Sequence, residues 1–142
     1  MTKPLYFTLE ELVYSKKALD NKIQNNPSWE AVEKLNQLAV KILDPLRKKI
    51  GKSITVTSGF RSKKLNSLVK GSGTSQHLKG EACDITCSNN RLLFDTAKAM
   101  IESGEITVGQ LIWEYGTKKS PSWVHISLPD ATHKNQILYI GI

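Results

Sequence analysis

Two of the three histidines in the chain stand in segments that could supply metal ligands. His77 precedes Asp84 by seven residues, and His125 lies in a later segment, Trp123-Val124-His125-Ile126-Ser127. Two imidazoles and one carboxylate can hold a zinc ion and leave a fourth position for water. The residue types alone leave an alternative open, in which Asp84 caps a turn and both histidines are ordinary side chains with hydrogen-bond partners.

The segments that carry Asp84 and His125 are predicted as strands, residues 81–86 and 123–128. Side chains two residues apart in a strand point to the same face, so each candidate ligand has a definite side of the sheet. Burying the Asp84 carboxylate without a partner would cost free energy, and a bound metal would remove that cost. A pairing of these two strands would bring the candidate ligands together.

The remaining elements predict an α+β fold. Thr8 and Glu11 form a capping box at a short helix. Apolar residues recur at helical spacing over residues 29–50, with a kink or an interruption expected near Asp44 because of Pro45. A short helix is predicted after Arg61, and a longer one covers residues 92–101, capped near Ser88 or Asn89 and stopped at Gly104. The other predicted strands are residues 54–58, 110–115 and 136–140. We therefore predict helices packed on a small, mainly antiparallel sheet, in one domain over residues 1–142.

Composition excludes several classes of protein. Hydrophobic residues make up 39% and charged residues 23% of the chain, which is typical of a globular domain and excludes a disordered chain. No segment approaches the roughly 18 apolar residues of a membrane span, and residues 1–7 show no signal peptide. Cys83 and Cys87 are expected to be reduced and buried, and the protein is expected to be a monomer.

Positive charge is concentrated in residues 45–80, here called the basic segment. It carries nine lysines and arginines and no acidic residue, within a net charge of +7. Such a segment could attract an anionic cell-wall polymer, or it could be an ordinary solvated surface. We expect no nucleic-acid binding, because no recognition helix or stacking pattern accompanies the charge.

Several motifs together resemble a known family. They are Ser75-x-His77-x-x-Gly80-x-Ala82-x-Asp84, Trp123-x-His125, Thr57-Ser58-Gly59-Phe60-Arg61-Ser62 with Asn66, and Asp44-Pro45-Leu46-Arg47. This pattern resembles the zinc D-alanyl-D-alanine carboxypeptidases. Relatives of that family include D-Ala-D-Ala dipeptidases of vancomycin resistance and phage peptidoglycan endopeptidases, and its fold is shared with the hedgehog signalling domain.

The resemblance implies a role for each matching residue. His77, Asp84 and His125 match the three zinc ligands, and one Zn²⁺ per chain is expected. Arg61 matches an arginine that contacts the substrate and steadies a developing oxyanion, although it could instead be a structural clamp on loop carbonyls. Ser75 is expected to orient the His77 loop or to bind the substrate backbone, with a simple loop cap as the alternative.

The chain departs from the family pattern at the general base. Many members carry a Glu or His a few residues before the second zinc histidine, whereas residues 118–124 contain neither. Glu114 is then the expected base, provided that its strand pairs with that of His125 and that the face of Glu114 is the one that carries His125. The opposite face would place Trp113 against the zinc and send Glu114 to solvent. Asp130 and His133 are weaker candidates.

The resemblance implies a zinc-dependent peptidase that hydrolyses an amide bond in peptidoglycan stem peptides, as a D,D-carboxypeptidase or a phage-type endopeptidase. A zinc-binding structural or wall-binding module of the same fold, without catalysis, is the competing hypothesis. We expect a location in the cytoplasm, or at the cell wall after release by a separate route of the phage type.

Overall fold

The computed structural model describes residues 3–142 and confirms the α+β class. Within residues 3–142, six α-helices precede or separate the strands, together with a π-helical segment, Ala39–Leu43, and a 3₁₀ turn, Gln76–Lys79. The helices are α1 Leu9–Val13, α2 Lys16–Asp20, α3 Trp29–Leu38, α4 Asp44–Ile50, α5 Lys63–Leu68 and α6 Asn90–Glu102. The strands are β1 Thr55–Ser58, β2 Ala82–Thr86, β3 Gln110–Glu114, β4 Trp123–Ser127 and β5 Gln136–Ile140.

The five strands form one sheet in the order β1-β2-β4-β3-β5. Three of the four strand pairs are antiparallel, and β5 adds to β3 in parallel. The prediction of a mainly antiparallel sheet is therefore correct. The parallel edge strand is possible because about twenty residues, including all of β4, separate β3 from β5.

One face of the sheet packs on the helices and forms the core. The amphipathic helix α6 places its apolar side there, and Phe94 meets Trp113 with ring centroids 5.2 Å apart. Asn89 caps α6 through its side chain, as the sequence predicts. The opposite face of the sheet carries Asp84 and His125 and is called the site face below.

The helix predicted over residues 29–50 continues past Pro45, so of the predicted kink or interruption near Asp44 the interruption does not occur as a break. The chain stays helical from α3 to α4, and the change of hydrogen-bond spacing falls at Ala39–Leu43, which is π-helical. Pro45 follows this π segment closely and stands at the second position of α4. The Asp44 carboxylate is buried and accepts hydrogen bonds from the backbone N–H of Leu5 and Tyr6 at 2.7 and 3.2 Å.

Two further differences from the prediction are local. Helix α2, capped by Ser15, was not predicted, because five residues are too few for a periodic pattern. Both cysteines are free thiols, but only Cys83 is buried, and Cys87 is half-buried. Strand β2 ends at Thr86, so Cys87 lies beyond the strand on which its side chain would have pointed inward. Within residues 3–142, no helix is both long and apolar enough to cross a membrane.

Candidate metal centre

The pairing of β2 with β4 brings two of the candidate ligands together. Asp84 and His125 are direct cross-strand partners, so their side chains lie on the same face of the sheet. The Nδ1 atom of His125 is 3.1 Å from Oδ1 of Asp84. Both side chains are buried, with about a tenth of their surface exposed.

His77 reaches the same point from the 3₁₀ turn. Its Nδ1 lies 2.7 Å from the carbonyl oxygen of Gly59, and its Nε2 lies 3.4 Å from Oδ1 of Asp84. A carbonyl oxygen only accepts, so Nδ1 carries the proton and donates it. Nε2 faces the carboxylate while Nδ1 is held by this second hydrogen bond, which is the arrangement of a metal-ligating histidine.

Backbone contacts hold this turn against its neighbours. The N–H of Arg61 donates to the carbonyl of His77 at 3.0 Å, and the side chain of Gln76 donates to the carbonyl of Leu128 at 2.9 Å. A Cβ on Gly59 would lie 2.0 Å from the carbonyl oxygen of Leu12, so only glycine allows the chain to pass there. The turn that carries His77 is thus fixed from both sides.

The ligand atoms of His77, Asp84 and His125 all lie within 4.8 Å of one another, and we call these residues the His-Asp-His cluster. Burial by itself would raise the pKa of Asp84. Hydrogen bonds and favourable charge interactions with His125 and His77 outweigh that effect and hold the pKa well below its ordinary value. The carboxylate is therefore ionised at neutral pH, as a metal ligand must be.

The donor set fits zinc. It combines two imidazole nitrogens with one carboxylate, a set that favours zinc or a similar transition metal over magnesium or calcium. The hydrogen bond from Nδ1 of His77 to the carbonyl of Gly59 fixes the orientation of that imidazole, as a metal ligand requires. The residues present thus fit a zinc ion with three protein ligands.

Arg61 borders the cluster on the β2 side. Its Nη2 lies 3.8 Å from Oδ2 of Asp84, its Nε donates to Ser58, and its Nη1 donates to the amide oxygen of Asn66 at 3.0 Å. Burial lowers the pKa of Arg61 from its ordinary value, while Asp84 and Glu114 raise it, and a guanidinium remains charged in either case. The side chain is mostly buried and held in place, with its charge directed toward the cluster.

Asn66 is a supporting residue for which the sequence reasoning gave no role. It is buried, and its amide donates to the carbonyl of Ser72 at 2.9 Å while its oxygen holds Arg61. A Cβ on Gly71 would lie 2.1 Å from that oxygen, so the glycine allows the loop to close over the pair. The signal in the sequence was the family motif itself, in which Asn66 follows Arg61 by five residues.

Ser75 is the N-cap of the 3₁₀ turn. Its hydroxyl accepts a hydrogen bond from the backbone N–H of His77 at 3.2 Å. This contact is consistent with the predicted orienting role and also with the simpler loop cap. The predicted contact of Ser75 with a substrate backbone stays a prediction.

Glu114 lies on the site face. It is the cross-strand partner of Trp123, and Ile112 is the partner of His125 in the same β3–β4 register. Trp113, in contrast, points into the core and is 4% exposed. The sequence left open which face of the sheet carries Glu114. In the fold Glu114 and His125 share a face.

The Glu114 carboxylate is half-buried and accepts a hydrogen bond from the indole N–H of Trp123. Burial and the negative charge of Asp84 raise the pKa of Glu114 from its ordinary value, against smaller lowering effects of His125, Trp123 and His77. A raised pKa suits a group that must accept and then release a proton. The donor role of Trp123 was not anticipated, although this residue stands in the Trp123-x-His125 motif.

Asp130 and His133 occupy a separate exposed turn. The Asp130 carboxylate accepts hydrogen bonds from the backbone N–H of Thr132 and His133, which lower its pKa to about 2. His133 lies 3.1 Å from Asp130 through Nδ1, and neither belongs to the His-Asp-His cluster. The turn gives both side chains partners of their own, so nothing in the geometry favours them over Glu114.

Comparison with known proteins gives one positive result. The family model described as Peptidase M15 matches residues 5–127 of the chain. A search among curated proteins finds no match. The matched segment includes the His-Asp-His cluster, Arg61 and Glu114, and it ends before β5.

Proposed function

Because the chain belongs to the peptidase M15 family, a family of metal-dependent peptidases, we propose that it is a zinc peptidase acting on peptidoglycan stem peptides. The observation that carries this proposal is the joint placement of the His-Asp-His cluster and Glu114 on one face of the sheet. A metal site alone would serve a structural role equally well. A carboxylate on the same face of the sheet adds a group that can accept a proton from water, which a purely structural metal site does not need.

In this proposal His77, Asp84 and His125 would hold the zinc ion. Zinc in such a site lowers the pKa of a water molecule to about 7 and polarises a carbonyl group. His77 would offer Nε2 to the ion, because its Nδ1 donates to Gly59. His125 would offer Nδ1, the atom that faces Asp84.

Glu114 and Arg61 do the remaining chemistry. Glu114 accepts the proton of the attacking water through its carboxylate and delivers it to the nitrogen of the leaving amine. The Trp123 indole holds one carboxylate oxygen and leaves the other free for this transfer. Arg61, fixed by Ser58 and Asn66, neutralises a substrate carboxylate or the oxyanion that develops at the scissile carbonyl.

The expected substrate is an amide bond to a D-amino acid, cut either at the end of the stem or within a crosslink. The basic segment is proposed to hold the enzyme near anionic wall polymers. Its exposed lysines Lys63, Lys64, Lys70 and Lys79 are available for that role. Lys49 is less available, because it pairs with Glu105 at 3.0 Å.

The decisive experiment is mass spectrometry of muropeptides digested with zinc-loaded protein. Loss of one D-alanine would indicate a carboxypeptidase, and separation of crosslinked stems would indicate an endopeptidase. A matched Asp84→Asn protein should release neither product. If the wild-type protein binds one zinc per chain and leaves every muropeptide intact, the catalytic proposal is wrong and the non-catalytic module replaces it.

A further inference from the structure

The site face continues beyond the His-Asp-His cluster toward the edge of the sheet. Asp84 on β2, His125 on β4, Ile112 on β3 and Leu138 on β5 are successive cross-strand partners. They form one row of side chains across four strands. The row begins with two metal-ligand candidates and ends with two aliphatic residues.

A second row runs beside the first. Trp123, Glu114 and Ile140 are successive partners on β4, β3 and β5. The proposed base therefore has an aliphatic neighbour on the side away from β4. Strand β5 thus ends each of the two rows with one aliphatic side chain, Leu138 in the first and Ile140 in the second.

Two contacts confirm which face of β5 belongs to the site. Gln110 and Gln136, partners on β3 and β5, are hydrogen-bonded through their side chains at 3.1 Å on the site face. Trp113 and Tyr139 meet on the opposite face, with ring centroids 5.7 Å apart. Side chains alternate along a strand, so Leu138 and Ile140 point to the same side as Gln136.

Ile112, Leu138 and Ile140 form what we call the apolar strip. Ile112 is buried, but Leu138 is 38% exposed and Ile140 is 42% exposed. Strand β5 lies outside residues 5–127, the segment that the family model matches. The exposed part of the strip is therefore a feature of this chain that the family match does not cover.

We propose that the apolar strip is a substrate subsite that binds aliphatic groups on the acyl side of the scissile bond. This inference rests on the proposed function. Arg61 approaches the cluster from the β2 side, 3.8 Å from Asp84, whereas the strip lies on the β3 and β5 side. A stem peptide whose terminal carboxylate meets Arg61 must then extend its acyl part over the strip.

The spacing between strands determines which part of the peptide can contact the apolar strip. Leu138 lies two strands from His125, which corresponds to about 10 Å at the usual spacing of about 4.8 Å between strands. An extended peptide covers about 3.3 Å per residue, so that span corresponds to about three residues. A substrate cut down to the two residues around the scissile bond would not reach Leu138.

The test compares two ligands that differ only in length. One is an uncrosslinked pentapeptide stem, and the other is N-acetyl-D-alanyl-D-alanine, which keeps the last two residues. The variants are Leu138→Gln and Ile140→Gln. Leu92→Gln on α6 is the matched control, because Leu92 has the same exposure of 38% and lies outside the site. Binding is measured by calorimetry with zinc-loaded protein in the Glu114→Gln background, and kcat/KM is measured in the wild-type background.

If the pentapeptide covers the exposed two fifths of each side chain, each variant should bind it with a Kd that is roughly three- to eightfold higher than that of the unsubstituted strip. The value of kcat/KM for the pentapeptide should fall by the same factor. Affinity for N-acetyl-D-alanyl-D-alanine should not change, and neither should any value for Leu92→Gln.

Three results would overturn the subsite: equal affinity of all proteins for the pentapeptide, no binding of the pentapeptide, or a strip that proves to be a dimer contact. The third would appear as a change of mass in solution on Leu138→Gln substitution. Failure of the proposed function is a different result. The wild-type protein would then hydrolyse no substrate. The comparison of pentapeptide affinities among the variants would still decide whether the strip binds the peptide.

Discussion

Replacing Glu114 by glutamine tests the central step of the proposed mechanism. Glutamine keeps the size of the side chain and an oxygen that can accept from the Trp123 indole, but it cannot hold a proton in transit. Loss of a general base costs roughly 10²–10⁴-fold in turnover. We therefore expect kcat on a muropeptide to fall by at least about 10²-fold, equivalent to about 2.7 kcal/mol in activation free energy.

The structure also predicts what this substitution leaves unchanged. Glu114 does not belong to the His-Asp-His cluster, so the protein should still bind one zinc per chain. Burial and Asp84 raise the pKa of Glu114, which means that the folded protein disfavours its negative charge. A neutral glutamine removes that penalty, so the melting temperature should be unchanged or slightly higher.

The assay is hydrolysis of a purified muropeptide followed by chromatography, with zinc content and thermal unfolding measured on the same samples. Glu102→Gln, at an exposed position of α6, controls for the loss of one negative charge. Full turnover by the Glu114→Gln protein would remove Glu114 from the mechanism. A fall in turnover that came with loss of zinc would instead indicate a structural role.

Four other predictions follow from particular contacts. The His77→Ala protein should lose stoichiometric zinc, and elemental analysis that still found one zinc per chain would refute the ligand assignment. The Trp123→Phe protein loses a hydrogen bond that lowers the pKa of Glu114, so the acid limb of the kcat/KM profile should move to higher pH; an unmoved limb would contradict this. The Gly59→Ala substitution should lower the free energy of unfolding by roughly 2 kcal/mol or more, measured by urea denaturation, because the new Cβ meets the Leu12 carbonyl. A free energy of unfolding equal to that of the wild-type protein would show that the loop can move aside. Binding to isolated cell walls should weaken as salt rises to physiological strength while cleavage of a neutral muropeptide stays constant, and equal salt dependence of both would exclude a steering role for the basic segment.

The pH dependence of activity has a definite sign. The base must be ionised to accept a proton, and the pKa of Glu114 lies above its ordinary value. Activity should therefore fall as the pH drops through that raised pKa, at a higher pH than for an unperturbed glutamate. In the metal-free protein, Asp84 remains ionised at that pH because its own pKa is held low by His125 and His77.

Local chemistry allowed much of the fold to be predicted. Thr8 and Glu11 do form a capping box, and Asn89 does cap α6, because these contacts lie within one turn of the chain. The kink or interruption expected near Asp44 is not a break in the helix but is preceded by a π segment, Ala39–Leu43. A proline removes one hydrogen bond, but whether the helix breaks or widens into a π segment depends on the core that packs against it.

Residue types and spacing by themselves indicated the ligand candidates His77, Asp84 and His125 and the class of the fold, and the family resemblance added the expectation of Arg61 beside them. Only the tertiary structure decided the side on which Glu114 lies, because a shift of one residue in the β3–β4 register would send it to the opposite face. Tertiary structure also decided that β5 would pair in parallel with β3 and set Leu138 and Ile140 beside the site. Strand register depends on contacts between residues far apart in the chain, and no local pattern in the sequence encodes it.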